Sequence, residues 1–469
     1  MKEKTVDVAI IGSGTSGLNA MGQVRRARKS FVLINGGEAG TTCARVGCMP
    51  SKAMIQVAED FHRRTHLGKY GIAGHEDLTL DLPEALEHVQ NMRDIFVDRV
   101  LEHSTDKLGE EFIEGYARFI EPTLLEVEGQ RIRAGRVVIA TGSRPLVPKL
   151  WQAFGDRIIT TDELFEYQDL PAAIGVIGLG TIGLELGQSL QRLGISVTGF
   201  DQLDTIGGIQ DPEVARTAID ILGREFPLLL GRPAEIEAAG DQLKVTAGEH
   251  SVLVDKVLCS IGRVPNVDNL GLENLGVALD AHGMPPYHPN TLQVADLPVY
   301  LAGDVTGERM ILHEAGDEGR IAGFNAAHDD PVGFRRKTPI TINFCDPNIC
   351  TVGRRWKDLD PERSAVGEIR FGPVGRALIM GRNKGILRVY ADQQSGRLLG
   401  AEMVGPGCEH LAHLLCWCIA QGLGVGELLR MPFYHPTIEE ALQAALYDLY
   451  RKVDAKNAGG LVELDRLPV

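Results

Sequence analysis

Two stretches of this chain repeat one pattern at one spacing, and that repetition constrains the fold more than any other feature. In the first, the run Val6-Asp7-Val8-Ala9-Ile10-Ile11 leads into Gly12-Ser13-Gly14-Thr15-Ser16-Gly17, an Ala/Met/Val-bearing helix and a second strand from Phe31 to Ile34. In the second, Ala173-Ile174-Gly175-Val176-Ile177 leads into Gly178-Leu179-Gly180-Thr181-Ile182-Gly183, then Leu184-Glu185-Leu186-Gly187 and a strand from Ile195 to Phe200. Near-continuous apolar runs, rather than alternating ones, suit a parallel sheet covered on both faces. The glycines let the backbone turn tightly and approach a pyrophosphate, which the helix N-terminus then favours electrostatically. G-x-G-x-x-G alone is often only a tight turn. Strand, glycines, helix and second strand in order, twice over, point to two dinucleotide-binding units.

The spacing also identifies the residue that meets each adenosine ribose. From Gly12 to Asn35 and from Gly178 to Asp201 is the same 23 residues, so Asn35 and Asp201 hold equivalent positions. Asp201 can accept hydrogen bonds from both ribose hydroxyls and would repel a 2′-phosphate. With no Arg pair nearby, NAD rather than NADP is expected at the second unit. Asn35 can bond a ribose only without charge assistance.

Between the two units stands Cys43-Ala44-Arg45-Val46-Gly47-Cys48-Met49-Pro50-Ser51-Lys52. Paired cysteines can be zinc ligands or plain core residues, but no second Cys/His pair follows at zinc-finger spacing. In a regular helix, Cα atoms five residues apart are about 8.6 Å from each other, whereas a disulfide wants less than about 7 Å. Either the pair never bonds or the helix is distorted between them, with Gly47 the natural place. We read a redox-active disulfide at a distorted helix start.

Shorter signatures follow. Val137-Val138-Ile139-Ala140-Thr141-Gly142 is a strand ending in a Gly turn, Cys259-Ser260-Ile261-Gly262-Arg263 repeats it, and Val299-Tyr300-Leu301-Ala302-Gly303-Asp304 puts an acid at a strand tip, where ligands of open α/β sheets bind. The second nucleotide unit therefore reads as inserted within the first. Beyond about residue 338 the pattern changes to alternating strands, Gly385 to Ala391 and Leu398 to Val404, with helices, a separate α+β domain. Near its end comes Tyr434-His435-Pro436-Thr437-Ile438-Glu439-Glu440. The expected division is residues 1–148 and 271–337 for the first unit, 149–270 for the second, and 338–469 for the last. A net charge of −15 argues against nucleic-acid or anionic-membrane partners. No apolar run has the length of a signal peptide core or a membrane span. Eight cysteines in 469 residues do not make a disulfide scaffold, and a cytoplasmic protein with a catalytic rather than structural disulfide is expected.

In this order, two G-x-G-x-x-G units, Cys-x4-Cys-x-Pro-Ser-Lys, Ala-Thr-Gly, Ala-x-Gly-Asp and His-Pro-Thr-x-x-Glu, the chain resembles the flavin-dependent pyridine nucleotide–disulfide oxidoreductases over essentially its full length. Within them it is most similar to the branch that oxidises protein-bound dihydrolipoyl groups with NAD. The resemblance implies an α/β fold of two Rossmann-like domains, the NAD domain inserted in the FAD domain, and a C-terminal α+β dimerisation domain. It implies that Gly12, Gly14 and Gly17 hold the FAD pyrophosphate, with Asn35 at the ribose. Thr42, Lys52, Ala117, Thr141, Gly142, Asp304, Met310, Leu312 and His313 would be further FAD contacts, Lys52 near the reactive end of the flavin. Gly178, Gly180, Gly183, Glu185, Asp201 and Gly262 would bind NAD. Cys43 would be the interchange thiol, Cys48 the thiol against the flavin, and His435 the base, held by Glu440. In the family that histidine serves the other subunit's disulfide, which implies a homodimer with a lipoyl-carrying protein as substrate. No metal is implied.

The competing readings are a disulfide reductase of the same family that runs on NAD(P)H, against which Asp201 speaks, and a flavoprotein subunit with no catalytic role, against which the complete Cys43, Cys48, His435 and Glu440 set speaks. Cys345 and Cys350 repeat the four-residue gap but lack the Pro-Ser-Lys context and read as structural thiols. Cys259, Cys416 and Cys418 read as core. Arg45 stands where the family usually has Asn, so it either acts on Cys43, meets an acidic partner, or forms a surface salt bridge.

Overall fold

The computed structural model describes residues 3–455 and 461–464. β1 (Glu3–Ile11) is central because both its edges are taken, by β2 (Phe31–Asn35) on one side and Gln130–Ile139 on the other, both parallel. With a neighbour on each edge, Val8 to Ile11 are buried, which is why that run does not alternate. Phe112–Glu114 extends the sheet beyond β2, and Val299–Leu301 pairs parallel with Gln130–Ile139. Between β1 and β2 runs α1 (Thr15–Arg26). It crosses the helix Leu312–Ala327 with no room for side chains: a Cβ on Gly319 would lie 2.1 Å from the Ser16 carbonyl oxygen, and one on Gly323 2.4 Å from that of Ala20. This close crossing brings the start of the second helix, with Leu312 and His313, to the end of α1 that carries the glycine turn.

The chain leaves the first sheet after Ile139 and returns to it at Val299. In between it builds a second sheet, all parallel, in the order Leu228–Leu230, Ser196–Asp201, Ala173–Ile177, Lys256–Cys259, Ile158–Ile159. The crossing is an antiparallel pair, Ser143–Pro145 going out and Arg263–Pro265 coming back. Arg263 fastens it, donating to the Ser143 hydroxyl and carbonyl, each at 2.7 Å. One dinucleotide unit is thus inserted in the other.

From Ile340 a five-stranded antiparallel sheet follows, in the order Ile340–Asn343, Asn348–Gly353, Leu398–Gly405, Ile386–Asp392, Ser364–Arg370. The strands Ile386–Asp392 and Leu398–Gly405 are buried on both faces. Helices Cys408–Ala420 and Glu440–Lys452 cover one face with a common apolar core. The polar residues of the other face are buried too, because they clamp the second unit. Fully buried Asp211 accepts from Arg388 at 2.6 and 2.7 Å and from the Tyr390 hydroxyl at 2.8 Å. Glu402, equally buried, accepts the backbone N–H groups of Gln210, Asp211 and Trp356. Removing Asp211 alone would leave the Arg388 guanidinium with Glu368, 3.2 Å away, as its remaining carboxylate, and the buried Tyr390 hydroxyl without its acceptor. Among the described residues no helix is long and apolar enough to cross a membrane.

Candidate active site

The two glycine turns have the same steric anatomy. A Cβ at Gly12 would sit 2.2 Å from the Ala140 carbonyl oxygen and one at Gly178 2.5 Å from that of Ser260, where each turn passes a neighbouring strand end. A Cβ at Gly17 or Gly183 would fall 1.8 or 1.9 Å from the carbonyl oxygen of the turn's own first glycine. At the middle glycines, Gly14 and Gly180, nothing lies within 4 Å. Each is also an N-cap without a side-chain cap, so the first N–H groups of a 12-residue helix are left for a ligand. That is the shape a pyrophosphate needs: packing closed on two sides and open backbone donors on the third. Buried Ser16, inside the first turn, has a hydroxyl with no hydrogen-bond partner. These residues fit a dinucleotide at each turn.

Asn35 and Asp201 occupy equivalent places. Asp201 Oδ2 accepts the Leu179 N–H at 2.6 Å, and Asn35 Oδ1 accepts from the Ser13 hydroxyl at 2.8 Å; Leu179 and Ser13 each follow the first glycine of their turn. The Asn35 amide then donates to the Gly37 carbonyl at 2.9 Å, a bond that a carboxylate could not make. Further round the first cradle, Asp304 accepts from the Ser143 hydroxyl at 2.9 Å. Thr141 bonds the Asn266 carbonyl at 2.6 Å, tying the outgoing and returning strands together. Ala117 is buried, Met310 half-buried, and Thr42, Leu312 and His313 exposed. Gly142 and Gly262 both sit at positive φ, +69° and +136°.

Between the turns the chain breaks where the thiol spacing requires it. α2 (Thr42–Arg45) is a single turn, and Gly47 (φ −127°, ψ −115°) interrupts the path before α3 (Cys48–His62). The span from Cys43 to Cys48 is therefore not regular helix, and the geometric objection to a bond between them falls away. Thr41 starts the segment at φ +62°, a region costly for a residue with a Cβ. Both cysteines are free thiols here, hydrogen-bonded to each other. Cys48 opens α3, whose N-terminus has no side-chain cap and favours negative charge. Its thiol is pulled down to about 7: the hydrogen bond from Cys43 lowers it most, burial opposes, and the Lys52 charge lowers it further. Cys43, as the donor in that bond, is pushed well up. The pair thus favours the negative charge on Cys48, with Cys43 as the thiol that donates to it.

α3 carries Lys52 one turn beyond Cys48. Its ammonium lies 2.6 Å from Glu185 Oε2, on the helix Thr181–Arg192, and 4.8 Å from the centre of the Phe344 ring. Glu185 is 3 % exposed, and its other oxygen accepts the Phe344 N–H at 2.8 Å. One buried carboxylate thus joins the first nucleotide unit, the second and the C-terminal sheet. Phe344 escaped the sequence reading because nothing in a lone Phe at a strand end signals a backbone donor to a residue 159 positions away.

His435 stands apart on the C-terminal domain. Its Nδ1 is 2.8 Å from Glu440 Oε1, and Glu440 Oε2 accepts the Thr437 N–H at 3.1 Å. The bond to His435 chiefly holds the Glu440 carboxyl below the usual carboxylate range. The ring is 79 % exposed in the single chain. Arg45 pairs with exposed Glu38, and the cationic neighbour acting on Cys43 is Lys52 instead. Cys345 and Cys350 are buried, and burial raises both thiols well above the usual range. Only Cys350 lies on a strand; Cys345 is in the turn before it.

Residues 6–319 match the pyridine nucleotide-disulphide oxidoreductase family, and residues 339–446 match that family's dimerisation domain. The chain is 29% identical to the dihydrolipoyl dehydrogenase of Thermus scotoductus, over 96% of this chain and 98% of that one. It is 31% identical to dihydrolipoyl dehydrogenase 3 of Pseudomonas aeruginosa, over 95% and 98%. The fold matches that of the HOCl-induced flavoprotein disulfide reductase RclA of Escherichia coli, solved as a Cu(II) complex, with a TM-score of 0.82 at 22% identity over 95% of this chain and 99% of that one. The chain belongs to the pyridine nucleotide–disulphide oxidoreductase family, with FAD and NAD as its cofactors.

Proposed function

We propose that this protein oxidises a dihydrolipoyl group carried on another protein and delivers the electron pair, through Cys43 and Cys48 and then FAD, to NAD. The observation that carries the reading is the placement of Cys43 and Cys48 on either side of the break at Gly47, with Cys48 at the head of α3 one turn from the Lys52–Glu185 pair. Two relatives matching nearly end to end bear the name dihydrolipoyl dehydrogenase, which supports this substrate.

In the oxidised protein Cys43 and Cys48 share a disulfide. A substrate thiolate attacks Cys43 Sγ, the Cys43–Cys48 bond breaks, and Cys48 leaves as a thiolate, stabilised by Lys52 and the α3 N-terminus. His435 takes the proton of the second substrate thiol, which then attacks the substrate's own bonded sulfur and frees Cys43. The substrate leaves as a disulfide, with its two electrons now on the cysteine pair. Glu440 fixes the His435 tautomer and supports the charge it gains. Bound flavin supplies the step from dithiol to nicotinamide, accepting the pair and passing it on as hydride.

Gly12, Gly14, Gly17, Asn35 and Asp304 would hold the FAD, and Gly178, Gly180, Gly183, Glu185 and Asp201 the NAD. A homodimer, in which His435 serves the other subunit's disulfide, accounts for its exposure in the single chain. The division at residues 148, 270 and 337 and a cytoplasmic setting, where a disulfide is catalytic rather than structural, belong to the same reading.

The test is NAD reduction by dihydrolipoamide beside glutathione and coenzyme A as alternative thiols. Turnover with dihydrolipoamide alone, lost in Cys43→Ser, is the expected result. Turnover with glutathione and none with dihydrolipoamide would move the protein to another substrate.

A further inference from the structure

Away from both glycine turns lies a cavity of about 550 Å³ whose walls come from three parts of the molecule. One is the end of α3 and the turn after it, with Arg63 and Lys69. The second is the second nucleotide unit, with Arg192 and Arg224. The third is the C-terminal domain, with Arg382 and Lys384. The charge is the reverse of what the chain as a whole offers. On a protein of net charge −15, six Arg and Lys side chains line this cavity, against Glu59, Glu225 and Asp346. Two of those acids are already committed to Arg192, which is buried and bonds Glu225 at 2.8 Å through two nitrogens and Asp346 at 3.2 Å. Among the described residues, Arg63, Lys69, Arg224, Arg382 and Lys384 have no carboxylate within 4 Å. The cavity continues into a second hollow of about 310 Å³ that shares Arg224 and Lys384.

These five cations, exposed at the rim and without a carboxylate partner, converge on one concavity, where a multiply charged anion would relieve their mutual repulsion. The volume is that of a small-molecule site. Guanidinium forks with lysines among them suit phosphate oxygens. The opposite flank is apolar, with exposed Tyr70, Ile379 and Met380. We propose that this cavity binds a small polyphosphate-bearing anion, the phosphate chain lying on the arginines and lysines. A nucleoside triphosphate would add its base on the apolar flank, whereas an inorganic polyphosphate would use the basic wall alone. The site is separate from both dinucleotide cradles and does not depend on which dithiol the protein oxidises.

The walls run back to the redox centre within single elements. α3 begins at Cys48 and ends with Glu59 and His62 in the cavity. The helix Thr181–Arg192 carries Glu185 and, about two turns on, Arg192. The segment that gives the Phe344 N–H to Glu185 gives Asp346 to Arg192.

Isothermal titration of the FAD-loaded protein at low salt, with NAD saturating so that the dinucleotide site is filled, tests the proposal with tripolyphosphate and with ATP. Saturable tripolyphosphate binding, weakened at least about tenfold in R382A/K384A, is expected from the loss of two charge-assisted contacts. Activity with NAD should be unchanged in that variant, because neither residue touches the redox centre. Tighter binding of ATP than of tripolyphosphate would assign the ligand a base; equal binding would leave the phosphate chain as the whole ligand. No binding of either, or equal binding by wild type and R382A/K384A, would overturn the proposal, and Arg224→Glu gives an independent check should the double variant misfold.

Discussion

Replacing Lys52 by Met should raise the Cys48 thiol from about 7 to about 8. Four residues along a helix places the two side chains about 5–6 Å apart at Cβ. A unit charge at about 6 Å, at an effective dielectric of about 20, is worth about 2.8 kcal/mol, or about two pKa units. The Glu185 carboxylate, 2.6 Å from the ammonium, cancels part of that field, which leaves about one unit. Losing a positive neighbour disfavours the thiolate, so the direction is upward. Lys52→Met also strands the Glu185 charge, a destabilisation of about 3–5 kcal/mol if Glu185 stays ionised. Lys52→Met with Glu185→Gln avoids it and, because Glu185 itself raises the Cys48 thiol, should bring the midpoint part of the way back. The assay is the pH dependence of iodoacetamide alkylation of Cys48 in a Cys43→Ser background, whose serine hydroxyl keeps a hydrogen-bond donor. The thiolate also stabilises the reduced fold. That contribution is complete above the ordinary thiol value of 9.0 and is lost as pH falls through about 7, so the variant should move this window upward. A midpoint that stays put or falls in Lys52→Met would refute the electrostatic role given to Lys52.

His435→Gln should lower dithiol turnover by about 10²–10⁴ while leaving flavin reduction by NADH intact, since only the thiol half of the reaction needs this base; stopped-flow of the two halves separates them. Asp201→Asn keeps the bond to the Leu179 N–H but drops the charge, and should cut the preference for NAD over NADP about tenfold in kcat/KM, by removing repulsion of a 2′-phosphate. Asn35→Glu should hold FAD more tightly, by about tenfold in the dissociation constant, through a charge-assisted ribose bond. Equal FAD release on dilution, followed by flavin fluorescence, would show that Asn35 is no weakness.

Much of this site was legible because its parts are local patterns. The matched 23-residue spacing fixed Asn35 and Asp201 in one register, and the bonds from Ser13 and to Leu179 show that register in three dimensions. The conflict between helix geometry and a disulfide pointed to Gly47, where the backbone does break. What stayed hidden was tertiary. The Phe344 N–H on Glu185 and the Asp211–Arg388–Tyr390 clamp join residues more than 150 positions apart. In the C-terminal sheet Arg388 and Glu402 spend their polarity on a neighbouring domain, which no local pattern announces. The basic cavity could not be seen either, since its cations are scattered from Arg63 to Lys384.

The central claim is that electrons pass from a dithiol through an unequal cysteine pair to NAD. Anaerobic titration of the FAD-loaded protein with dihydrolipoamide and then NAD, followed in the visible spectrum, tests it directly. A long-wavelength band from the Cys48 thiolate beside the flavin, discharged on adding NAD with one equivalent of NADH formed, is the predicted result. Flavin that reacts with NADH but is untouched by dihydrolipoamide would contradict it.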